Sequence, residues 1–303
     1  MNLLHEILSG KRLVLDGPLG TELDRRGVDI SLPLWSARAI RENPEIIEAI
    51  HRDYIDSGAD IITTNTFRTN PRTFQKAGLT IDAARTATFS AVEIAQKAVK
   101  SSHINKNIWI AGSMSPLEDC YRPGLSPDYR TALAEHRLMA DWLAEAGVDF
   151  ILIETMNNIQ EASAALQAAK NTGLPAAVSF ILKDIDHLLN GEKIVDAYKL
   201  IFDLGVDIFS INCTHHSVIT DFLNKYRNLI SIPLMVYPNA GILDSKMEWH
   251  SDSAFTPERF TEIAADWYRR GVRIIGGCCG TGPEFIGSIY KKISGELGET
   301  HRI

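Results

Sequence analysis

Short apolar runs alternate with amphipathic stretches along the chain, and this alternation predicts most of its structure. The runs carry Val, Ile, Leu and Phe at consecutive positions, which is typical of parallel strands that are buried on both faces. They predict eight strands, at residues 12–16, 61–64, 108–112, 150–154, 176–182, 208–212, 234–237 and 273–276. The stretches between them predict helices, three of which begin at a polar residue followed by proline, at residues 43–45, 126–128 and 256–258.

One short pattern recurs at four junctions between a helical stretch and an apolar run. It places a glycine just before the run, in residues 57–62, 146–151, 204–209 and 270–275. A glycine directly after a helix adopts left-handed backbone angles without a steric penalty. We therefore interpret the four copies as one helix-to-strand junction that the fold uses repeatedly.

Eight strand–helix alternations in a chain of 303 residues predict a (β/α)8 or TIM barrel of the α/β class. The prediction is one domain over residues 1–303. A doubly wound sheet is the alternative, but such a sheet has no reason to stop at eight strands. The Gly-rich phosphate-binding turn that often follows the first strand of a doubly wound sheet is also missing here.

Composition and charge narrow the possible partners. The 31 Lys and Arg residues against 38 Asp and Glu residues give a net charge of -7. An acidic chain without a basic run predicts no binding to nucleic acid or to an anionic membrane. No apolar stretch reaches the roughly 18 to 20 residues of a membrane helix, and the first residues do not form a signal peptide. Four cysteines are too few for a disulfide framework, so we expect a cytoplasmic protein; its oligomeric state stays open.

The residues that end the predicted strands carry the candidate chemistry. Barrel enzymes place their active sites at the carboxyl ends of the strands. Asp16 ends the first strand and Glu154 the fourth, while Cys213 follows the sixth and Cys278 and Cys279 follow the eighth. Because the sixth and eighth strands are two places apart in a closed barrel, we expect their cysteines to meet across its mouth.

Three thiolates from two strands predict a zinc site. Cysteine sulfur is a preferred zinc ligand, and three protein ligands leave the fourth tetrahedral position open, as in catalytic sites. A substrate thiol would suit that position, because a coordinating thiol is deprotonated by the metal. Adjacent cysteines on a regular strand point to opposite faces, so we expect Gly276, Gly277 and Gly280 to break the strand there. A redox pair or plain packing is the alternative.

These segments resemble the zinc-dependent homocysteine S-methyltransferases, and the resemblance extends over nearly the whole chain. It rests on LDGPLGT at residues 15–21, INC at residues 211–213 and GGCCG at residues 276–280. One departure is Pro18, where the family commonly has a small residue.

The resemblance implies a ligand set and a substrate. Cys213, Cys278 and Cys279 would bind zinc, and the sulfur of homocysteine would complete the coordination sphere. Asp16 and Glu154 would hold the ammonium group of homocysteine, which two carboxylates at a barrel mouth also suit on chemical grounds. The implied reaction gives methionine.

The methyl donor follows from finer resemblance. Residues 34–37, 43–45 and 236–241 are most similar to the branch that uses S-methylmethionine. Cobalamin-dependent methionine synthases carry further modules, and the betaine-using branch usually has a longer C-terminal extension. We expect S-methylmethionine, or S-adenosylmethionine, with a sulfonium that aromatic rings at Trp35, Phe67 and Tyr237 would attract. The alternatives are betaine, another thiol acceptor, or a non-catalytic barrel that binds zinc or a thiol.

Polar residues at other strand ends receive smaller roles. We expect Ser113 to contact the substrate carboxylate. Asn239 is expected to contact the substrate and, with Asn212, to orient the site through hydrogen bonds. Three thiols complete the ligand set, so we interpret His215 and His216 as loop or helix-start residues. Cys120 lies in the loop after the third strand, from which it can approach the site, and its role stays open.

Overall fold

Eight parallel strands form a nearly closed barrel in the computed structural model, which describes residues 3–243 and 249–300. The barrel strands are β1 (Leu13–Val14), β2 (Ile61–Thr63), β3 (Trp109–Met114), β4 (Phe150–Met156), β5 (Ala176–Phe180), β6 (Ile208–His215), β7 (Leu234–Asn239) and β10 (Ile274–Ile275). An antiparallel pair, β8 (Gly241–Leu243) and β9 (Trp249–Ser251), follows β7. The predicted barrel and all eight of its strands are confirmed.

The sheet runs in the order β1-β10-β7-β6-β5-β4-β3-β2, so its two edges are the first and second strands of the chain. A parallel bridge between Leu15 and Ile61 joins these edges, and the Asp16 amide donates to the Ile61 carbonyl at 2.9 Å. The closing contact therefore lies immediately beside a predicted site residue.

Twelve helices accompany the strands in the described residues, and most of them cover the outside of the barrel. They are α1 (Leu3–Leu8), α2 (Leu19–Arg25), α3 (Arg38–Glu42), α4 (Pro44–Asp56), α5 (Pro71–Lys76), α6 (Ile81–Ser101), α7 (Tyr129–Ala146), α8 (Ile159–Lys170), α9 (Ile194–Asp203), α10 (His216–Tyr226), α11 (Pro257–Arg269) and α12 (Pro283–Thr300). Among the helices of these residues, none is long and apolar enough to cross a membrane.

The structure largely agrees with the predicted helix starts and helix-to-strand junctions. Thr256 caps α11 by accepting from the Arg259 amide, whereas α7 begins one residue after Asp128, which accepts from two amides, rather than at Ser126. The four junction glycines have the left-handed φ that the repeat predicts: Gly58 (105°), Gly147 (87°), Gly205 (79°) and Gly271 (87°). The repeat is therefore a single backbone solution used four times.

The side chains of each strand alternate between two cores. On β4, Phe150 and Leu152 belong to the cluster inside the barrel, while Ile151 and Ile153 belong to the layer between strands and helices. The first helix, α1, adds Leu3 to the interior cluster. This alternation fixes which later residues of every strand face the barrel interior.

Two glycines after β10 are needed for space rather than for backbone freedom. Neither has a positive φ, in contrast to Gly280 at 82°. A Cβ atom on Gly276 would lie 2.6 Å from the Leu15 Cβ and 2.7 Å from the Asp16 carbonyl, and one on Gly277 would lie 2.1 Å from the Thr281 hydroxyl. Of the three predicted strand-breaking glycines, only Gly280 acts through its dihedral angles.

We expect Gly276→Ala to destabilise the fold by about 1–3 kcal/mol, because the new methyl group meets the Cβ of Leu15 and the backbone of Leu15 and Asp16, directly after β1. Urea unfolding measures the change in the free energy of unfolding. Gly124→Ala is the matched control, since a Cβ there has no neighbour within 4 Å and no positive φ. Equal stabilities for the two variants would contradict this packing.

Candidate active site

The inward-facing residues change from apolar to polar toward the carboxyl ends of the strands. On β4 the inward series Phe150, Leu152 continues two residues later with Glu154. The same period of two places other polar side chains in the upper layer of the barrel, which consists of Ser113, Glu154, Ser179, Asn212 and Tyr237. The period of two along each strand therefore explains why polar side chains gather inside the barrel at the carboxyl ends of the strands.

Cys213 would point out of the barrel on a regular strand, because it follows the inward-facing Asn212. Its backbone has a φ of 48°, and the register between β6 and β7 shifts between Asn212 and His215. This bulge turns Cys213 toward the barrel interior, where it packs against the apolar cluster. A non-glycine residue at such a φ costs roughly 1–3 kcal/mol, so the surrounding contacts must hold it.

Asn212 supplies those contacts by joining β6 to a second bulge on β4. Thr155 has a φ of 60°, and the register of β4 against β5 shifts beside it. The Asn212 amide group donates to the Thr155 hydroxyl at 2.8 Å, and its oxygen accepts from the Thr155 amide at 3.0 Å and from Ser179 at 2.7 Å. One buried side chain thus fixes two strained residues at the barrel mouth.

The cysteine pair is held by backbone hydrogen bonds in the loop after β10. The Cys278 amide donates to the Pro238 carbonyl at 2.8 Å, and the Cys279 carbonyl accepts from the Ala240 amide at 2.8 Å. Gly280 then turns the chain. The sulfur atoms of Cys213, Cys278 and Cys279 all lie within 4.8 Å of one another, so the predicted convergence of the three thiols is present.

The hydrogen bonds among the three thiols shift their pKa values in opposite directions. Hydrogen bonds from Cys213 and Cys278 hold the pKa of the Cys279 thiol well below its ordinary value. Hydrogen bonds to Cys278 and Cys279, together with burial, raise the pKa of Cys213. Thiols grouped in this way would release their protons to a bound metal ion.

Two buried carboxyl groups lie near the sulfurs. Asp16 is 2% exposed, and its two oxygens accept from the amide and the hydroxyl of Thr63 at 2.7 and 2.9 Å. Glu154 accepts from the Ser113 hydroxyl and, at 3.4 Å, from the Tyr237 hydroxyl. No ion pair involving Asp16 or Glu154 occurs within the described part of the chain.

Burial without a cation shifts both carboxyl groups in the same direction. Desolvation raises the pKa of Glu154 to about 7, and it raises the pKa of Asp16 well above its ordinary value, with a further contribution from the charge of Glu154. A cation placed between them would favour the ionised forms. The pair is therefore an incomplete electrostatic arrangement that a positively charged ligand would complete.

One cavity of about 580 Å³ contains these groups. Its walls include Asp16, Ser113, Glu154 and the three clustered cysteines, together with the aromatic residues Trp35, Phe67 and Tyr237. In the described residues this lining does not include Asn239, which is 3% exposed and has a side-chain oxygen without a hydrogen-bond partner. Pro18 also lines the cavity, and Asp16 keeps its hydrogen bonds to Thr63.

Cys120, His215 and His216 do not belong to the three-thiol group. Cys120 lines the cavity, and burial raises the pKa of its thiol to about 12. His215 caps α10 by accepting from the Ser217 amide, as a helix-start residue does. The carboxylate of Asp252 lies 3.3 Å from His215 and 3.5 Å from His216, an arrangement that the sequence does not suggest.

Several contributors to the site are not predicted from the sequence. Thr63, Thr155 and Arg68 lack a motif of their own: Thr63 ends β2, Thr155 lies near the end of β4, and Arg68 lies in the loop that follows β2. The signal that could have found Thr63 is its place two residues after Ile61, an interior residue of β2. Nothing in the sequence reveals the positive φ of Thr155, because that angle depends on the side chain of Asn212 from another strand.

The fold and the cavity define a (β/α)8 barrel with a three-thiol centre and two buried carboxyl groups at the carboxyl ends of its strands. A sequence model described as homocysteine S-methyltransferase matches residues 13–293. The chain belongs to this family.

Individual relatives agree with the family assignment. A homocysteine S-methyltransferase of Escherichia coli is 31% identical over 91% of this chain and 94% of its own length. A selenocysteine methyltransferase of Astragalus bisulcatus is 32% identical over 96% and 94%. The crystal structure of the metallated form of the homocysteine methyltransferase MmuM from Escherichia coli has a TM-score of 0.85 at 30% identity, covering 96% of this chain and all of that one. The likeness therefore extends over the whole barrel.

The raised pKa of Glu154 predicts a pH-dependent effect of Glu154→Gln in ligand-free, metal-free protein. Between pH 4.5 and 7 the folded protein keeps this carboxyl group protonated while the unfolded chain ionises it. The stability that Glu154 contributes at low pH is therefore lost as the pH rises through 7. The glutamine variant has no such loss, so it should gain about 2–3 kcal/mol on the wild type between pH 5 and pH 8.

Urea unfolding at both pH values measures this difference. Glu93→Gln, at an exposed position of α6, is the control and should show a pH-independent difference from the wild type. A Glu154→Gln difference that stays flat from pH 5 to pH 8 would show that Glu154 is ionised throughout.

Proposed function

We propose that this chain transfers a methyl group from S-methylmethionine, or S-adenosylmethionine, to the sulfur of homocysteine and so forms methionine. The observation that carries the proposal is one cavity in which three clustered thiols lie with two buried carboxyl groups that have no cationic partner. Homocysteine carries a thiol and an ammonium group, which are the two functions that these residues accept. Free thiols of this kind stay reduced in the cytoplasm, which we propose as the compartment.

The donor set fits zinc. Cys213, Cys278 and Cys279 offer three soft sulfur ligands within 4.8 Å of one another, and hydrogen bonds from the other two thiols hold the pKa of Cys279 well below its ordinary value. Three protein ligands leave a position for the substrate. When bound there, zinc would keep the sulfur of homocysteine in its thiolate form near neutral pH.

Asp16 and Glu154 bind the ammonium group of homocysteine. Ser113 and Tyr237 orient the Glu154 carboxylate, and Thr63 orients that of Asp16 through both of its oxygens. Because all of these partners lie on strands or at their ends, the ammonium position is fixed relative to the thiols. The polar groups thereby aim the acceptor sulfur at the donor, which is the main contribution that orientation makes to catalysis.

The transfer is a direct displacement. The sulfur of homocysteine forms a bond to the methyl carbon while the bond between that carbon and the donor sulfonium breaks. The electron pair of the broken bond stays on the donor sulfur, which leaves as a neutral thioether, so no general acid is required. Trp35, Phe67 and Tyr237 line the cavity and offer aromatic faces to the sulfonium cation.

The acceptor could also be a selenol or another thiol, since one relative is named a selenocysteine methyltransferase. Selenocysteine would present an ammonium group to the same carboxyl groups, and its selenol is a softer nucleophile than a thiol. Homocysteine remains our proposal because most of the relatives named here are homocysteine methyltransferases. Betaine is the alternative donor, and a barrel that binds the thiol without turnover is the alternative function.

The test is methionine formation by purified, reduced, zinc-loaded protein. We expect turnover with homocysteine, and kcat/KM should be higher with S-methylmethionine than with betaine at saturating homocysteine. Cys213→Ser should lose both the zinc and the activity, whereas Cys120→Ser, which alters the cysteine outside the sulfur cluster, should keep about one zinc per chain. Selenocysteine in place of homocysteine tests the other acceptor.

Two results would contradict parts of the proposal. Betaine equal to or better than S-methylmethionine would refute the assigned donor while leaving the acceptor chemistry in place. Homocysteine binding without turnover on any of the three donors would favour the non-catalytic barrel.

Asn212→Ala should weaken zinc binding about 10- to 100-fold, because Asn212 holds the bulge that turns Cys213 inward. Competition with a chromophoric chelator measures the affinity. Asn70→Ala is the control: Asn70 caps α5 by accepting from the Thr73 amide, so its loss should lower stability by about 1 kcal/mol without changing the zinc affinity. An unchanged affinity in Asn212→Ala would mean that Cys213 keeps its orientation without this support.

A further inference from the structure

Arg68 is a cation of the cavity wall for which the described part of the chain provides no carboxylate partner. It lines the same cavity as the three clustered thiols, and within the described residues it forms no ion pair. The neighbouring cations differ in this respect. Lys76 pairs with Glu118, and Arg72 pairs with both Glu118 and Glu135. No carboxylate of the described residues therefore neutralises the charge of Arg68.

The guanidinium group is nevertheless held in place. Its Nη1 donates to the Glu118 carbonyl at 3.0 Å, and the group lies 5.5 Å from the centre of the Phe67 ring. Phe67 is fixed in turn by an edge-to-face contact with Trp35, at 5.5 Å between ring centres. A guanidinium that is already oriented loses little side-chain freedom when it binds a ligand.

Part of the hydrogen-bonding capacity of Arg68 is buried and unused. Its Nε has no hydrogen-bond partner among the described residues although it is shielded from solvent. An unsatisfied buried donor is costly, and a planar fork of N–H groups matches the two oxygens of a carboxylate. Together with the missing ion pair, this atom points to an anionic ligand rather than to a structural role.

We propose that Arg68 binds the carboxylate of an amino-acid substrate, either homocysteine or the methyl donor. The inference rests on the proposed function and specifies the class of molecule that the cavity accepts. Each substrate is a zwitterion, and Asp16 and Glu154 account for a positive end only. Ser113, which we expected to meet the substrate carboxylate, instead donates its hydroxyl to Glu154, so Arg68 takes the role predicted for it.

Few acidic residues lie near the position proposed for the carboxylate at Arg68. The acidic residues of the cavity wall near it are Glu118, which is paired with Arg72 and Lys76, and Asp119, which accepts from the Tyr121 amide at 3.0 Å. Arg68 itself acts on Cys120, whose thiol stays protonated because burial raises its pKa to about 12. A carboxylate bound at Arg68 would therefore meet a neutral thiol there rather than a second anion.

The experiment compares each substrate with its carboxamide in the zinc-loaded protein. We expect the wild type to prefer homocysteine over homocysteine amide, or S-methylmethionine over its amide, in kcat/KM. Arg68→Gln should lower kcat/KM for the acid at least about 30-fold and leave the value for the amide within about threefold, as for loss of one partner of a desolvated charge pair. If the preference for acid over amide disappears for one substrate, the carboxylate of that substrate is the one bound by Arg68. Arg68→Lys should restore part of this preference.

Lys76→Gln is the matched control, because it removes the other cation of the same wall, one already neutralised by Glu118. It should keep the discrimination between acid and amide. A loss in Arg68→Gln that is the same for acid and amide would show a structural role and overturn the inference, and so would unchanged discrimination on both substrates.

Calorimetric binding of the same pairs separates this inference from the proposed function. Wild-type protein that binds the acids better than the amides, and loses this preference in Arg68→Gln, supports the subsite even if no methionine is formed. Equal binding of acid and amide by the wild type contradicts the subsite whether or not the protein turns over.

Discussion

The arrangement of the site depends on two residues that a regular sheet would not tolerate. Thr155 and Cys213 adopt left-handed backbone angles at the ends of β4 and β6, and each would face away from the interior if its strand continued regularly. The hydrogen bonds of Asn212 hold both bulges at once. Because the two bulges share one side chain, the position of a thiol on one strand is coupled to that of Glu154 on another.

The buried carboxyl groups make the same end of the barrel unfavourable in the absence of a ligand. Asp16 and Glu154 are surrounded by hydrogen-bond donors but by no cation from the described chain, and their raised pKa values express that imbalance. Stability and binding are therefore in opposition here. A barrel optimised only for stability would carry amides or apolar residues at these two positions. Functional sites commonly keep residues that reduce stability.

Much of this molecule follows from local rules in the sequence. The β-rich runs gave all eight barrel strands because each is apolar on both faces, and the junction glycines were identified from one repeated pattern. The cysteines and carboxyl groups were found because strand ends in a barrel converge. What could not be predicted depends on contacts between distant strands: the bulge at Cys213, the hydrogen bond that diverts Ser113 to Glu154, and the unpaired charge of Arg68. The hairpin of β8 and β9 was missed because its strands are only three residues long.

The pairing of β1 with β10 has a consequence for biosynthesis. Leu13 lies opposite Ile274, so β1, the first barrel strand, gains its neighbour on that side only when β10, the last barrel strand, is present. A contact of such long sequence separation slows folding, because the entropy of closing the long intervening loop must be lost before the contact can form. On the ribosome, Cys213 emerges well before Cys278 and Cys279, and a lone thiol cannot make the three-sulfur cluster. The three-sulfur cluster therefore stays incomplete during synthesis until the last barrel strand and the loop after it have emerged.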